Sequence, residues 1–208
     1  MAPRGRFLTF EGVDGAGKST QAAELAKKLR ASGRDVVLTR EPGGSDGAEE
    51  IRRLLVAGAP GRWSPETEIL LFTAARRDHL ERRIEPALAR GAWVVSDRFA
   101  DSTRVYQGLA RAELREKVDT LHRGFIGIEP DLTLILDLPP SVALARGRAR
   151  PGSENRFEDM GLAFQTRLAM GFRALAATEP TRCRLIDANG PTDSVAERVS
   201  EIVDDALS

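Results

Sequence analysis

The chain has 208 residues, is 41% hydrophobic and 30% charged, and sets 31 Lys+Arg against 31 Asp+Glu for a formal net charge of zero. This composition excludes a disordered chain and, with no basic excess, a dedicated nucleic-acid binder. The single cysteine, Cys183, excludes an intrachain disulfide and suits a reducing cytoplasm, no run nears the ~18 apolar residues of a membrane span, and the opening MAPRGRFLTFEG does not read as a signal peptide.

In chain order, RFLTF (6–10) reads as a short buried strand, and Ala22, Leu25, Ala26 and Leu29 give helical spacing over 18–31 that stops at Gly33. DVVLTR (35–40) is a second strand, EPGGSDG a loop, and 48–57 a helix. A long helical pattern runs from N-cap Ser64 and Pro65 to Gly91, with Pro86 expected to kink its last turns. AWVVSD (92–97) is a third strand, followed by helices near 100–107 and 111–125. DLTLILDL (131–138) is a fourth strand, ended by Pro139 and Pro140, with helix at 141–146 and 158–177. RCRLIDA (182–188) is a fifth strand and 192–207 an amphipathic helix. Apolar strands separated by helices predict an α/β fold, a five-stranded parallel sheet with helices on both faces. Ligands then belong at the strands' carboxyl ends, in the loops from 11, 41, 97, 139 and 188.

GVDGAGKS (12–19) fits G-x-x-x-x-G-K-[ST] between a predicted strand and helix, the P-loop NTPase arrangement. Gly12, Val13, Asp14, Gly15, Ala16, Gly17, Lys18, Ser19 and Thr20 are the candidate ATP-phosphate loop. Glycines let successive N–H groups turn inward, the helix N-terminus adds positive charge, Lys18 reaches the outer phosphates, and the Ser19 hydroxyl suits Mg²⁺. Asp97, closing an apolar strand, is placed as a second acidic group near Mg²⁺, and Arg98 as a fork donor for a second phosphate. Phe72 and Arg76 lie at i and i+4, a pair suited to stacking on and bonding a flat base. STRVYQ (102–107) adds two hydroxyls, a tyrosine and an amide within two turns. Taken singly these groups have plainer explanations: Phe72 in the core, Arg98 in an ion pair. His79 and His122 read as structural or surface residues away from the motifs, and Cys183 as a small buried hydrophobe.

Read together, FEGVDGAGKST (10–20), TREPGG (39–44), LLFTAAR (70–76), DR (97–98), STRVYQG (102–108), RARPGSENRFE (148–158) and IDAN (186–189) resemble the thymidylate kinase family over nearly the whole chain. The resemblance implies the nucleoside monophosphate kinase type of fold, one domain over 1–208 with a small lid at about 146–158, and transfer of the γ-phosphoryl group of ATP to dTMP with Mg²⁺. It implies that Phe72 stacks on thymine, Arg76 bonds its exocyclic oxygen, and Gln107 with Ser102 or Thr103 reads the rest of the base edge. Tyr106 would lie against the deoxyribose, Asp14 would hold the 3′-hydroxyl, and Arg98 with Arg40 would grip the monophosphate. Pro42 and Leu55 would line the pocket, and Ala188 and Asn189 would lie near adenine. A homodimer is also implied, with the helices around 66–90 and 100–125 offering an apolar face, and partners limited to ATP and dTMP, without nucleic acid or membrane. Phe99 departs from the tyrosine or histidine often found after Asp-Arg; no phosphate ligand is lost by it.

Some family members carry an arginine inside the phosphate loop, where this chain has Gly15. The cation is then expected from the arginine stretch after the fourth strand: Arg148 and Arg150, with Arg146 or Arg156 beside them, closing over ATP. Lys18, Arg98, Arg148, Arg150 and Arg156 are thus the candidate catalytic residues. Two competing readings are a small kinase of this fold acting on another monophosphate, and a nucleotide-switch ATPase that phosphorylates nothing.

Overall fold

The computed structural model describes residues 4–58, 61–108, 112–148 and 161–207. Five strands, β1 (Phe7–Glu11), β2 (Val36–Arg40), β3 (Trp93–Asp97), β4 (Leu132–Asp137) and β5 (Cys183–Asp187), form one parallel sheet in the order β2-β3-β1-β4-β5. The helices are α1 (Lys18–Ala31), α2 (Asp46–Val56), α3 (Pro65–His79), α4 (Glu85–Ala89), α5 (Ala100–Tyr106), α6 (Ala112–Leu121), α7 (Pro140–Arg148), α8 (Gly161–Thr178) and α9 (Thr192–Leu207). From central β1 the chain goes out to edge strand β2, returns to β3 beside β1, and then crosses to β4 and β5, so the loops after β1 and β3 lead in opposite directions at the switch point of the sheet, where such folds bind ligands.

The long helical pattern from 64 to 91 resolves into three pieces. Ser64 caps α3 by accepting from the Thr67 N–H, with Pro65 at the first position. A π-helical turn, Leu80–Ile84, then precedes α4. Pro86 has no N–H and its ring would crowd the carbonyl four residues back; the widened turn accommodates it, so the expected kink is a π-turn. A second π-turn, His122–Ile126, replaces the expected end of the helix over 111–125 and stops at Gly127, φ 70°.

Side chains alternate across the sheet. Leu8 and Phe10 of β1, with Leu132 and Leu134 of β4 opposite, join the larger core with Leu25, Phe172 and Val199 from α1, α8 and α9. On the opposite face Phe7 joins a second cluster with Leu80, Ile84, Val94 and Phe99. On the Phe7 face, Thr9 and Thr133, register partners, share a hydrogen bond of 3.0 Å at full burial. Asp101 of α5 lies over them: its carboxylate accepts from Arg182 at 2.6 Å and from Arg104 at 2.8 Å. Arg104 continues to Asp119 of α6 (2.9 Å) and to exposed Glu129 (2.5 Å), so one network that starts at buried Asp101 ties α5 to α6 and to the loop before β4. Burial alone would raise the Asp101 pKa, but the two guanidiniums outweigh it and hold it below the carboxylate range.

Removing Asp101 takes from Arg104 and Arg182 the buried carboxylate they share. Asp101→Ala is expected to cost about 3–5 kcal/mol, read as a lower urea midpoint at unchanged slope; a loss under about 1 kcal/mol would mean that the network is solvated.

Candidate active site

The loop between β1 and α1 turns at Gly15 (φ 80°), packed so closely on α7 that a Cβ there would lie 2.0 Å from the Ala143 carbonyl oxygen. Lys18 folds back across the loop and donates to the Val13 carbonyl at 2.8 Å. Burial, with Arg98 nearby, pushes the Lys18 pKa down to about 8 against the pull of Asp14 and Asp97. Ser19 donates to Asp97 Oδ2, while Asp97 Oδ1 is buried with no hydrogen-bond partner among the described residues.

Arg98 follows β3 with φ 74°, a left-handed conformation uncommon for a residue with a side chain. Its N–H is held by the Phe10 carbonyl, and its own carbonyl accepts from Ser96 at 2.8 Å. The guanidinium donates to Asp14 (2.5 Å), Ser102 (2.7 Å), Tyr106 Oη (3.2 Å) and the Gly12 carbonyl (3.3 Å). The Tyr106 hydroxyl donates to the other Asp14 oxygen at 2.9 Å. Burial would raise the Asp14 pKa; Arg98 and then Lys18 more than offset it, and Asp14 stays ionised.

Beneath this cluster Glu11, the last residue of β1, is fully buried and accepts from the Phe99 N–H (2.8 Å) and the Ser102 hydroxyl (2.5 Å). Desolvation, assisted by Asp101 and opposed by Arg98, raises its pKa to about 7.

One cavity of about 340 Å³ joins these groups to a second pole. Its walls carry 16 of the anticipated residues: Asp14, Gly15, Gly17, Lys18, Ser19, Arg40, Pro42, Leu55, Phe72, Arg76, Asp97, Arg98, Ser102, Thr103, Tyr106 and Gln107. At the far pole Arg76, only 4% exposed, spends Nε on Glu41 (2.7 Å) and Nη2 on the Phe99 carbonyl (3.2 Å) and Thr103 (3.0 Å). Gln107 Nε2 donates to Glu68 at 3.1 Å, and its buried Oε1 has no donor among the described residues. At the rim Arg40 is exposed and paired with Glu49 at 3.1 Å.

Gly12, Val13, Ala16 and Thr20 belong to the loop but not to the cavity wall. Ala188, buried, and Asn189, exposed, follow β5 on the other side of β1, and Arg146 is exposed on α7. Arg150 and Arg156 lie outside the described residues, as does the Arg148 side chain. Glu11, Glu41, Arg52, Val56 and Phe99 were not anticipated as site residues, yet Glu11 supports the site and the other four line the cavity. Buried carboxylates leave no periodic signal; the hints available were that Glu11 sits inside FEGVDGAGKST and Glu41 inside TREPGG. His79 is not remote from the motifs: it is fully buried and bonds Glu41 and Thr39. Cys183 is buried as expected, its thiol pushed up to about 12 chiefly by desolvation.

A family model described as thymidylate kinase matches residues 10–199. Thymidylate kinases of Ruegeria pomeroyi and Dinoroseobacter shibae are 64% and 63% identical to the chain, over 98% of it and 96% of the former, and 96% of both for the latter. A crystal structure of thymidylate kinase from Ehrlichia chaffeensis superposes with a TM-score of 0.77 at 34% identity, covering 97% of this chain and 99% of that one.

A raised carboxylate pKa gives a definite sign. With about 7 folded and 4.5 unfolded, Glu11 adds stability in full below 4.5, and loses it as pH rises towards 7. Unfolding free energy of the parent protein is therefore expected to fall relative to Glu11→Gln between pH 5 and 7, by up to about 1.4 kcal/mol per pH unit. Urea titrations of both proteins at pH 5, 6 and 7 measure this; parallel pH profiles would show that Glu11 does not titrate there.

Proposed function

The chain belongs to the thymidylate kinase family, nucleoside monophosphate kinases that transfer the γ-phosphoryl group of ATP to dTMP, and we propose from that membership how its own residues carry the reaction. The observation that carries the proposal is the single cavity whose one pole is the phosphate loop with Arg98 and whose other pole is Phe72, Arg76 and Gln107. A phosphate at the first pole and a flat base at the second fit one nucleoside monophosphate. Phe72 stacks on thymine, Arg76 donates to its exocyclic oxygen, and the unpaired Gln107 Oε1 accepts from the ring N–H. Ser102 or Thr103 completes the base edge, Tyr106 lies along the deoxyribose, Asp14 takes the 3′-hydroxyl, and Pro42 and Leu55 close the walls. Arg98 and Arg40 hold the monophosphate.

ATP enters over the loop Gly12–Thr20, with adenine towards Ala188 and Asn189 beyond β5. Acceptor and donor then approach from opposite sides of β1, the placement an in-line transfer requires. Lys18, drawn from the Val13 carbonyl to the outer phosphates, neutralises developing charge. The Ser19 hydroxyl and Asp97 Oδ1, which has no partner among the described residues, would hold Mg²⁺. Bound there, the ion would offset the negative charge of the phosphates.

Gly15 directs attention to the lid. With α7 against it, no larger residue fits at position 15, so an arginine is not available from the loop. We assign the cation to the segment 146–158 that α7 leads into: Arg148 and Arg150, with Arg146 or Arg156, close over ATP and exclude water. A cytoplasmic homodimer, associating through the exposed Leu70 of α3 and the adjoining α6, completes the proposal. Among the described residues no helix is long and apolar enough to cross a membrane.

A coupled assay over dTMP, dUMP, dGMP, AMP and CMP is expected to show highest kcat/KM with dTMP; preference for another nucleotide overturns the base assignment. Arg150→Ala is expected to lower kcat by about 10²-fold or more while dTMP affinity stays near normal. An unchanged kcat moves the role to another lid arginine.

A further inference from the structure

His79 ends α3 with its ring fully buried, and both ring nitrogens are engaged. Nε2 lies 2.7 Å from Thr39 Oγ1 of β2, and Nδ1 lies 3.0 Å from Glu41 Oε1. A carboxylate only accepts, so Nδ1 carries a proton and donates it. The second Glu41 oxygen, Oε2, accepts from Arg76 Nε at 2.7 Å. The backbone is shaped around the ring: a Cβ at Gly44 (φ 90°) would lie 2.4 Å from His79 Nε2 and 2.6 Å from Thr39 Oγ1. Arg76 Nη2 is spent on Phe99 and Thr103, which leaves Nη1 as the arm of the fork with no protein partner among the described residues.

We propose that His79 is a positioning residue for base discrimination: the chain Thr39–His79–Glu41–Arg76 fixes the direction in which Arg76 offers Nη1 to the base. This rests on the assignment of Phe72, Arg76 and Gln107 as the base pole. Glu41 is buried to 4% of its side-chain surface, and each of its oxygens has one donor from the chain. Without His79, Oε1 is a buried carboxylate oxygen short of a donor, and the carboxylate relieves this by turning towards Arg76 and drawing the fork off its line. A 4-oxo pyrimidine rewards a fixed donor; a 4-amino pyrimidine, presenting a donor of its own, does not. The ring therefore acts on the choice of base while the phosphate loop is untouched.

The test is steady-state kinetics with dTMP, dCMP and ATP on the full chain and on His79→Leu, His79→Asn and Thr39→Val. His79→Leu is expected to raise KM for dTMP about tenfold and to narrow the dTMP over dCMP preference by a similar factor, with KM for ATP within about twofold. His79→Asn, whose amide N–H stands in for Nδ1–H, is expected to restore most of both. A folded His79→Leu with unchanged KM for dTMP and unchanged preference overturns the proposal, as does a parallel rise in the KM of dTMP and ATP. If His79→Leu does not fold, Thr39→Val decides: a rise of about two- to threefold in KM for dTMP alone supports the chain, and no rise overturns it. Failure of the parent protein to prefer dTMP is a different result, read before any variant, and it refutes the base pole itself.

Discussion

The site depends on Arg98. Placed in a left-handed conformation at the end of β3, its backbone is held by Phe10 on one side and Ser96 on the other. Its guanidinium then reaches the phosphate loop through Gly12 and Asp14, and α5 through Ser102 and Tyr106. A buried cation is costly unless every arm is satisfied. Here Asp14, Glu11 and Asp97 supply the negative field, which together with Tyr106 holds Arg98 protonated well beyond its ordinary range despite burial. The same field favours the charged form of Lys18, although desolvation pulls the other way. The two cations of the candidate phosphate pole are thus pre-organised by neighbouring carboxylates.

Rigidity behind the cavity comes from polar layers, not from apolar packing alone. Asp101, Arg104 and Arg182 pin the base of α5 to the sheet, and Glu11 pins its first turn. Glu41 and His79 do the same for the end of α3. The two helices that carry Phe72, Arg76 and Thr103 on the cavity wall are therefore held by hydrogen bonds of defined direction, which fix orientation more tightly than contacts between apolar surfaces. Phe99 belongs to this scheme too. Its ring packs edge-on to Phe7 at 4.9 Å, and its backbone joins Glu11 to Arg76. The aromatic that departs from the common family residue is a core anchor whose main chain does the polar work.

Much of the site was legible before folding. Glycine spacing, Lys18 and Ser19 sit in one contiguous segment, and Phe72 with Arg76 share a helix face at i and i+4, so local geometry alone brings them into register. Arg98 and Asp97 were legible because a strand end in a parallel sheet has a defined place. What escaped were residues whose partners are distant in sequence. Glu11 serves Ser102, 91 positions away; Glu41 serves Arg76, 35 away; Thr9 pairs with Thr133, 124 away. None has a spacing that a pattern could detect, and a carboxylate in a loop reads as solvated until its arginine arrives.

By itself the sequence determined the order of strands and helices, the parallel sheet and the phosphate loop, because each follows from local periodicity, glycine placement and the reach of a short connection. Only the tertiary structure decided that Gly15 is closed to any larger residue, since the obstacle is the Ala143 carbonyl on a helix 128 positions later. Only it decided that His79 stands behind Arg76 rather than on the surface, because burial and pairing are properties of the packed helices and not of α3 alone. Side-chain chemistry is written along the chain; which charges face one another is set where the chain returns to itself.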